Sequence, residues 1–358
     1  MWVFYILLLV PLAIQHCAIN EYNIDYQRKK QSALLFFFVS MTVLIALRHE
    51  SVGTDTRNYI YYFEHFSKLS WNRLWNESIE VGFTYFNKFV SVFTKEPQVF
   101  FAITAVIVSA MIYPTYRRLC VDSSLTIILY VTMSTFVMAF SGIRQMIAVG
   151  IGFIAYEFVR NKKIIPYILC VILALTFHTS AFMLIFMYPL YHARITKKWL
   201  VAVIPVMAVV FVFNKQIFSV IGFILTRFTG YEASVSQTGA FMMLLLFVIF
   251  AVFAFLIPDE DALDNEVIGL RNFLLLSVVL QMFAPLNMIA MRMNYYYIIF
   301  IPLLLPKIIE AKSERWEQVA VVGRYTMVIL FLVYFFYNAY VSKSNLYVFP
   351  YHFFWETV

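Results

Sequence analysis

Four places in this chain set ionisable side chains against long apolar runs: RHESVGTDTR (48–57), SGIRQ (141–145), TFHTSA (176–181) and NMIAMRMNYYY (287–297). A charge near a membrane centre costs about 2.5–3.5 kcal/mol on insertion scales, so its placement carries information. Arginine forks match phosphate oxygens two at a time and stay charged at depth. Arg48, Arg144 and Arg292 therefore suit a pyrophosphate headgroup, with Arg57 a weaker contact in a wetter loop. A neighbouring Asp55, Glu80 or His178 could take a proton from an attacking hydroxyl. The joint chemistry is a metal-free glycosyl transfer with pyrophosphate as leaving group.

Each residue also has a plainer reading. Arg48 at a span end can snorkel to lipid phosphates, His178 can be a hydrogen-bonded hinge, and Asp55 can cap the helix that opens NYIYYF. Glu80 can simply begin the helix VGFTYFNKFV, where a carboxylate suits the positive helix end. The aromatic stripes suit packing. What favours chemistry is the set: the arginines, the histidine and the carboxylates fall on one predicted side, while the rest of the apolar interior is almost free of charge.

The elements that must position them are membrane helices. Of 358 residues 62% are hydrophobic and only 13% charged, against roughly 25% charged in soluble domains, and mean hydropathy is +0.79. This predicts an all-α polytopic membrane protein in one integral domain over 1–358. Apolar runs near 2–19, 31–47, 97–116, 124–141, 143–159, 164–192, 199–213, 240–257, 270–290, 294–310 and 319–341 are long enough, or nearly so, to cross. The first lacks a basic lead and a small-residue cleavage site, so it reads as a retained span. The net charge of +7 lies in short clusters between spans, which is a topology signal and not a nucleic-acid surface. Cys17, Cys120 and Cys170 are too scattered for a disulfide framework or metal site and read as core thiols.

Basic clusters at Arg28–Lys30, Arg117–Arg118, Arg160–Lys163, Arg194–Lys198 and Lys307–Arg315 mark the cytoplasmic side and put the amino terminus outside. The run 164–192 has basic clusters at both ends, so parity requires it to break at His178–Ser180 into two short helices. That gives 11–12 transmembrane helices. Two long connections then face outward, 48–96 and 214–239. The first carries amphipathic stripes (Tyr59, Tyr62, Phe63, Phe66; then Tyr85, Phe86, Phe89, Val90, Phe93) expected to lie in the outer interface, anchored by Trp71 and Trp75. The cytoplasmic connections are short and hold no glycine-rich phosphate loop, so nucleotide chemistry there is not expected.

In order, RHESVGTDTRNY, IEVGF, FSGIRQMIAVGIGFIAYEFVRNKK, LALTFHTSAFMLIFMYPL and MRMNYYYIIFIPLLLP resemble the EpsG-like branch of Wzy-type bacterial polysaccharide polymerases. The sequence has Thr56 where an aromatic is expected after GTD. The resemblance implies a GT-C-like helical bundle in the bacterial inner membrane with its active site on the periplasmic face. It implies an enzyme that joins polyprenyl-pyrophosphate-linked repeat units into an O antigen, capsule or exopolysaccharide and needs no cofactor. Its partners would be the lipid-linked glycan donor and acceptor, membrane lipids, a chain-length regulator and a flippase, with no nucleic acid. A ligase would use the same donor chemistry. A flippase would line the whole membrane depth with polar residues, and a scaffold would need none of the four motifs for turnover.

Overall fold

The computed structural model describes residues 2–16, 24–133, 135–220, 241–342 and 347–358. Cys17 and most of the 214–239 connection lie outside them. The described residues are helical without strands, 81% of them in helices, and the protein is an all-α polytopic membrane protein. They form two compact units, Met1–Phe182 with Arg324–Val358, and Met183–Gly323.

The first unit is built from α1 (Trp2–His16), α2 (Ile24–Ala46), α3 (Thr56–Lys68), a 3-10 turn at Trp71–Asn76, α4 (Val81–Phe93), α5 (Pro97–Leu119), α6 (Ser123–Thr132), α7 (Thr135–Ser141), α8 (Ile143–Arg160) and α9 (Ile164–Phe177). Tyr26–Ala46, Pro97–Leu119 and Glu314–Val341 are continuous helices apolar and long enough to cross. At about 1.5 Å per residue, the 21 residues of the first give roughly 31 Å, the thickness of the hydrocarbon layer. The other apolar segments are shorter or broken. α6 and α7 bend by 51° at their junction, and every residue of both helices whose side chain is described is buried. Helices apolar all round belong in the middle of a bundle, and these two form the centre of the unit.

α5 and α8 run in the same direction. Phe100 near the start of α5 packs with Phe63 and Phe83, and Arg118 near its end bonds Glu157 near the end of α8 at 2.7 Å. The run 164–192 breaks where parity requires. α9 ends at Phe177 with His178 as its extended C-cap, and a 3-10 segment, Thr179–Phe186, follows in place of a second long helix.

The closing segment 347–358 lies along the loop that follows α2. Gly53 N donates to Tyr347 O (3.1 Å), His49 N to His352 O and Phe354 N to Leu47 O (2.9 Å each), Arg48 and Phe353 form an antiparallel bridge, and Tyr351 Oη donates to Leu44 O at 2.8 Å.

The second unit contains α10 (Met187–His192), α11 (Leu200–Val212), α12 (Phe241–Leu256), α13 (Asn265–Gln281), α14 (Met288–Ile298) and α15 (Ile301–Glu310); α16 (Glu317–Tyr337) begins in it, and its residues from Arg324 onward belong to the first unit. Arg271 on α13 is fully buried. It forks onto Glu260 at 3.0 and 2.6 Å and donates to Ile195 O at 2.9 Å, with its guanidinium 4.0 Å from the Phe255 ring centroid. Asn272 beside it donates to Leu190 O and Ala193 O, so this pair of polar residues ties the connecting loops to α13.

Candidate functional site

Three of the polar motifs come together at one end of the first unit. Gly53 adopts φ +93°, a conformation that costs a side-chained residue strain, and a Cβ there would lie 2.7 Å from Phe140 O. The glycine lets the GTD turn sit directly on the end of α7, where Thr54 N donates to Ser141 Oγ at 3.0 Å. That contact fixes the start of α3 against the turn that leads into α8 and Arg144. Gly82 does the same for α4, since a Cβ there would overlap Thr176 Oγ1 at 2.2 Å on α9. It brings the first turn of α4 against the last turn of α9.

The result is a cluster of charged and polar groups. Arg144 Nη1 donates to Glu80 Oε2. Glu80 Oε1 is bonded to His178 Nδ1 at 3.1 Å and accepts from Thr179 N at 3.3 Å. The Tyr59 hydroxyl also acts on Arg144. The Phe83 ring centroid is 6.0 Å from the Arg144 guanidinium. Burial pushes the Glu80 carboxyl up, but the His178 hydrogen bond and the Arg144 charge outweigh it and hold it at about 2. Burial raises the Tyr59 phenol, with the Arg144 charge opposing.

Helix ends add to the field. Asp55, Glu80 and Gly142 occupy the N-cap positions of α3, α4 and α8, and none of them caps with a side chain. Three positive helix ends therefore lie close together, a field that favours anions. Arg144 is the second residue of α8, where the helix dipole disfavours a cation. A cation held at that end needs an anion beside it, and Glu80 is that anion. His178 ends α9 at the opposite, negative pole.

Asp55 and Glu80 thus do not act as side-chain caps. The Asp55 side chain is half-buried without a hydrogen bond or ion pair, and its charge acts on Tyr59. Other expected contacts are elsewhere. Arg48 is 0% exposed. It donates to Ile45 O at 2.9 Å, lies 4.3 Å from the Phe101 ring centroid, and keeps Nε and Nη2 without a partner. Burial lowers its pKa to about 10, so it remains a cation. Arg57 is a rim residue, its side chain 71% exposed and 3.3 Å from Glu50. Arg292, half-buried on α14, belongs to the second unit.

Tyr59 is the participant that the aromatic pattern hides. It shares the buried face of α3 with Phe63 and Phe66; Tyr59 packs on Phe83 and Phe63 on Phe100. That face is turned into the protein and not, as the stripe predicts, toward an interface. Phe89 and Phe93 of α4, with Trp75, do stay outward at 57%, 72% and 71% exposed. The signal for Tyr59 was a hydroxyl on the face it shares with Phe63 and Phe66, one turn after Asp55. Among the described residues no three His, Cys, Asp or Glu side chains gather as a metal site would require; Glu80 and His178 have a cation as their third neighbour.

No curated protein and no solved structure matches the chain. The model of the EpsG family matches residues 32–353, a span that begins inside α2 and takes in all four polar motifs and the pairing of the closing segment with the loop after α2. The chain belongs to the EpsG family.

Proposed function

We propose that this protein is a glycosyltransferase that polymerises polyprenyl-pyrophosphate-linked oligosaccharide repeats on the outer face of the bacterial cytoplasmic membrane, as a Wzy-type polymerase. Membership of the EpsG family supports polysaccharide synthesis. The observation that carries the chemistry is the cluster in which Arg144, at the positive start of α8, meets the Glu80 carboxylate and, through it, the His178 imidazole.

The donor pyrophosphate lies against Arg144 and the positive end of α8. With Nδ1 donating to Glu80, His178 keeps the Nε2 lone pair for the acceptor sugar's hydroxyl. Asp55 hydrogen-bonds the same hydroxyl and orients it. As the new bond to the anomeric carbon forms, the hydroxyl proton passes to His178 Nε2, and the electron pair of the breaking anomeric C–O bond leaves on the pyrophosphate. Arg144 and the helix ends neutralise that charge, the kind of preorganised stabilisation that supplies most of many rate enhancements. No cofactor enters this sequence. Arg48 supports the site from within the protein, and Arg57 attracts the anionic donor from the rim. The glycan itself lies along 48–96, and a flippase and a chain-length regulator supply and limit it.

The test is deletion of the gene with analysis of surface glycans and lipid-linked precursors. A polymerase leaves single repeats on the outside and removes the long-chain ladder. Long chains trapped on the carrier would assign a ligase, and single repeats held inside a flippase.

A further inference from the structure

Glu80 occupies an anion slot. Its two oxygens take a guanidinium N–H from Arg144, the ring nitrogen of His178 and the backbone N–H of Thr179, at the junction of three helix ends that favour negative charge. This is the donor set expected for a phosphate, filled by the protein's own carboxylate. The slot closes on itself: the Glu80 side chain is 12% exposed and that of Arg144 24%. Yet the closure is incomplete. Arg144 Nε is buried without a hydrogen-bond partner, and the Asp55 carboxylate nearby is not drawn into the pairing. A structural ion pair would use these groups.

We propose that Glu80 is an internal placeholder for the donor pyrophosphate. It holds Arg144 in the empty protein and is displaced from it when the donor arrives, while keeping its bond to His178 Nδ1. The inference rests on the pyrophosphate reading above and assigns Glu80 a role beyond orienting a base. Displacement has two consequences. The empty site presents no naked guanidinium to free phosphate or to lipid headgroups, which the membrane surface offers in large excess. After displacement Glu80 keeps His178 and Thr179 N as its partners, so the carboxylate is given over to orienting the imidazole only when the leaving group is in place.

A ligand whose competent state is partly populated binds with an affinity reduced by that fraction. If Arg144 is held by Glu80 about nine-tenths of the time, removing the carboxylate charge tightens pyrophosphate binding about tenfold. The experiment uses the full chain in lipid nanodiscs, inorganic pyrophosphate as probe and titration calorimetry, with polymerisation measured on the same preparations. Glu80→Gln is expected to bind pyrophosphate about tenfold more tightly while turnover falls. A merely structural glutamate would lose both together. Glu80→Asp, one methylene shorter and unable to bridge Arg144 and His178, is expected to tighten binding by a smaller factor, and it serves if the glutamine variant does not fold. Unchanged or weaker binding in both variants, with Arg144→Ala losing binding, would overturn the placeholder and leave the pyrophosphate site standing. No binding by any form, with Arg144→Ala still polymerising, would overturn both.

Discussion

The two ends of the first unit each carry a half-buried arginine paired with a carboxylate, and they differ in what is left over. At one end Arg324 forks onto Asp122 Oδ2 through Nε (2.9 Å) and Nη2 (2.7 Å). Asp122 Oδ1 caps α6 by accepting from Leu125 N and also takes Gln15 Nε2, both at 3.1 Å. Gln15 Oε1 in turn accepts from Ser124 N and Oγ at 2.6 and 2.8 Å and from Ser123 Oγ. α1, α6 and α16 are stitched together with the carboxylate fully engaged. At the other end Arg144 and Glu80 have similar exposure, 24% and 12% against 29% and 17%. There Arg144 Nε, the Asp55 carboxylate and His178 Nε2 remain unused. Burial and pairing alone do not separate a clamp from a site; spare hydrogen-bonding capacity does.

The contrast can be broken at either end. Arg144→Ala is expected to lower polymerisation about 100-fold to 1,000-fold in normally inserted protein, measured as ladder formation from lipid-linked repeats. Equal loss from Arg324→Ala would erase the distinction. Glu80→Gln is expected to change pH behaviour. Its folded pKa, about 2, lies below the ordinary 4.5, so its stabilisation is fully present above about pH 4.5 and is lost as pH falls through about 2. A shift of that size corresponds to roughly 3 kcal/mol. The melting difference between wild type and Glu80→Gln should be constant from pH 5 to 8 and narrow below pH 4. A step between pH 6 and 7 would show that another group governs the pair.

Arg324→Ala or Asp122→Ala should cost about 2 kcal/mol of stability, less than a fully buried pair because both side chains reach solvent. Thermal unfolding in detergent reads that loss, while the rate per folded molecule stays within about twofold. Tyr59→Phe removes the hydroxyl that acts on Arg144 and is expected to slow turnover about tenfold, near 1.4 kcal/mol, without moving the melting temperature. The reverse pattern would make Tyr59 a packing residue only. Arg57→Ala should change stability by less than about 1 kcal/mol, as exposed pairs do, and its effect on turnover should grow at low ionic strength if it steers the anionic donor.

Much of the architecture was legible because membrane helices are written in composition. The 31–47 and 97–116 runs became α2 and α5, and the two basic clusters flanking 164–192 located the break at His178. The order of the motifs disclosed the family. Their partnerships could not be read, because which groups an arginine meets depends on how helix ends dock. Two glycines set that docking through contacts with Phe140 and Thr176, residues remote in sequence. The carboxylates at the starts of α3 and α4 looked like caps because capping is the local solution; tertiary contacts took Glu80 and left Asp55 free. Arg48 looked exposed at a span mouth because the residues that cover it come at the other end of the chain. The division at Met183 has no linker composition to mark it.

That cover has a consequence for biogenesis. The loop 47–53 obtains its backbone partners from Tyr347, His352 and Phe354, which leave the ribosome long after α2 has been inserted. The GTD turn carried by that loop seats α3 beside Arg144. A nascent chain still being threaded into the bilayer therefore lacks the finished seat for α3 until residues 347–354 have folded back onto the loop after α2.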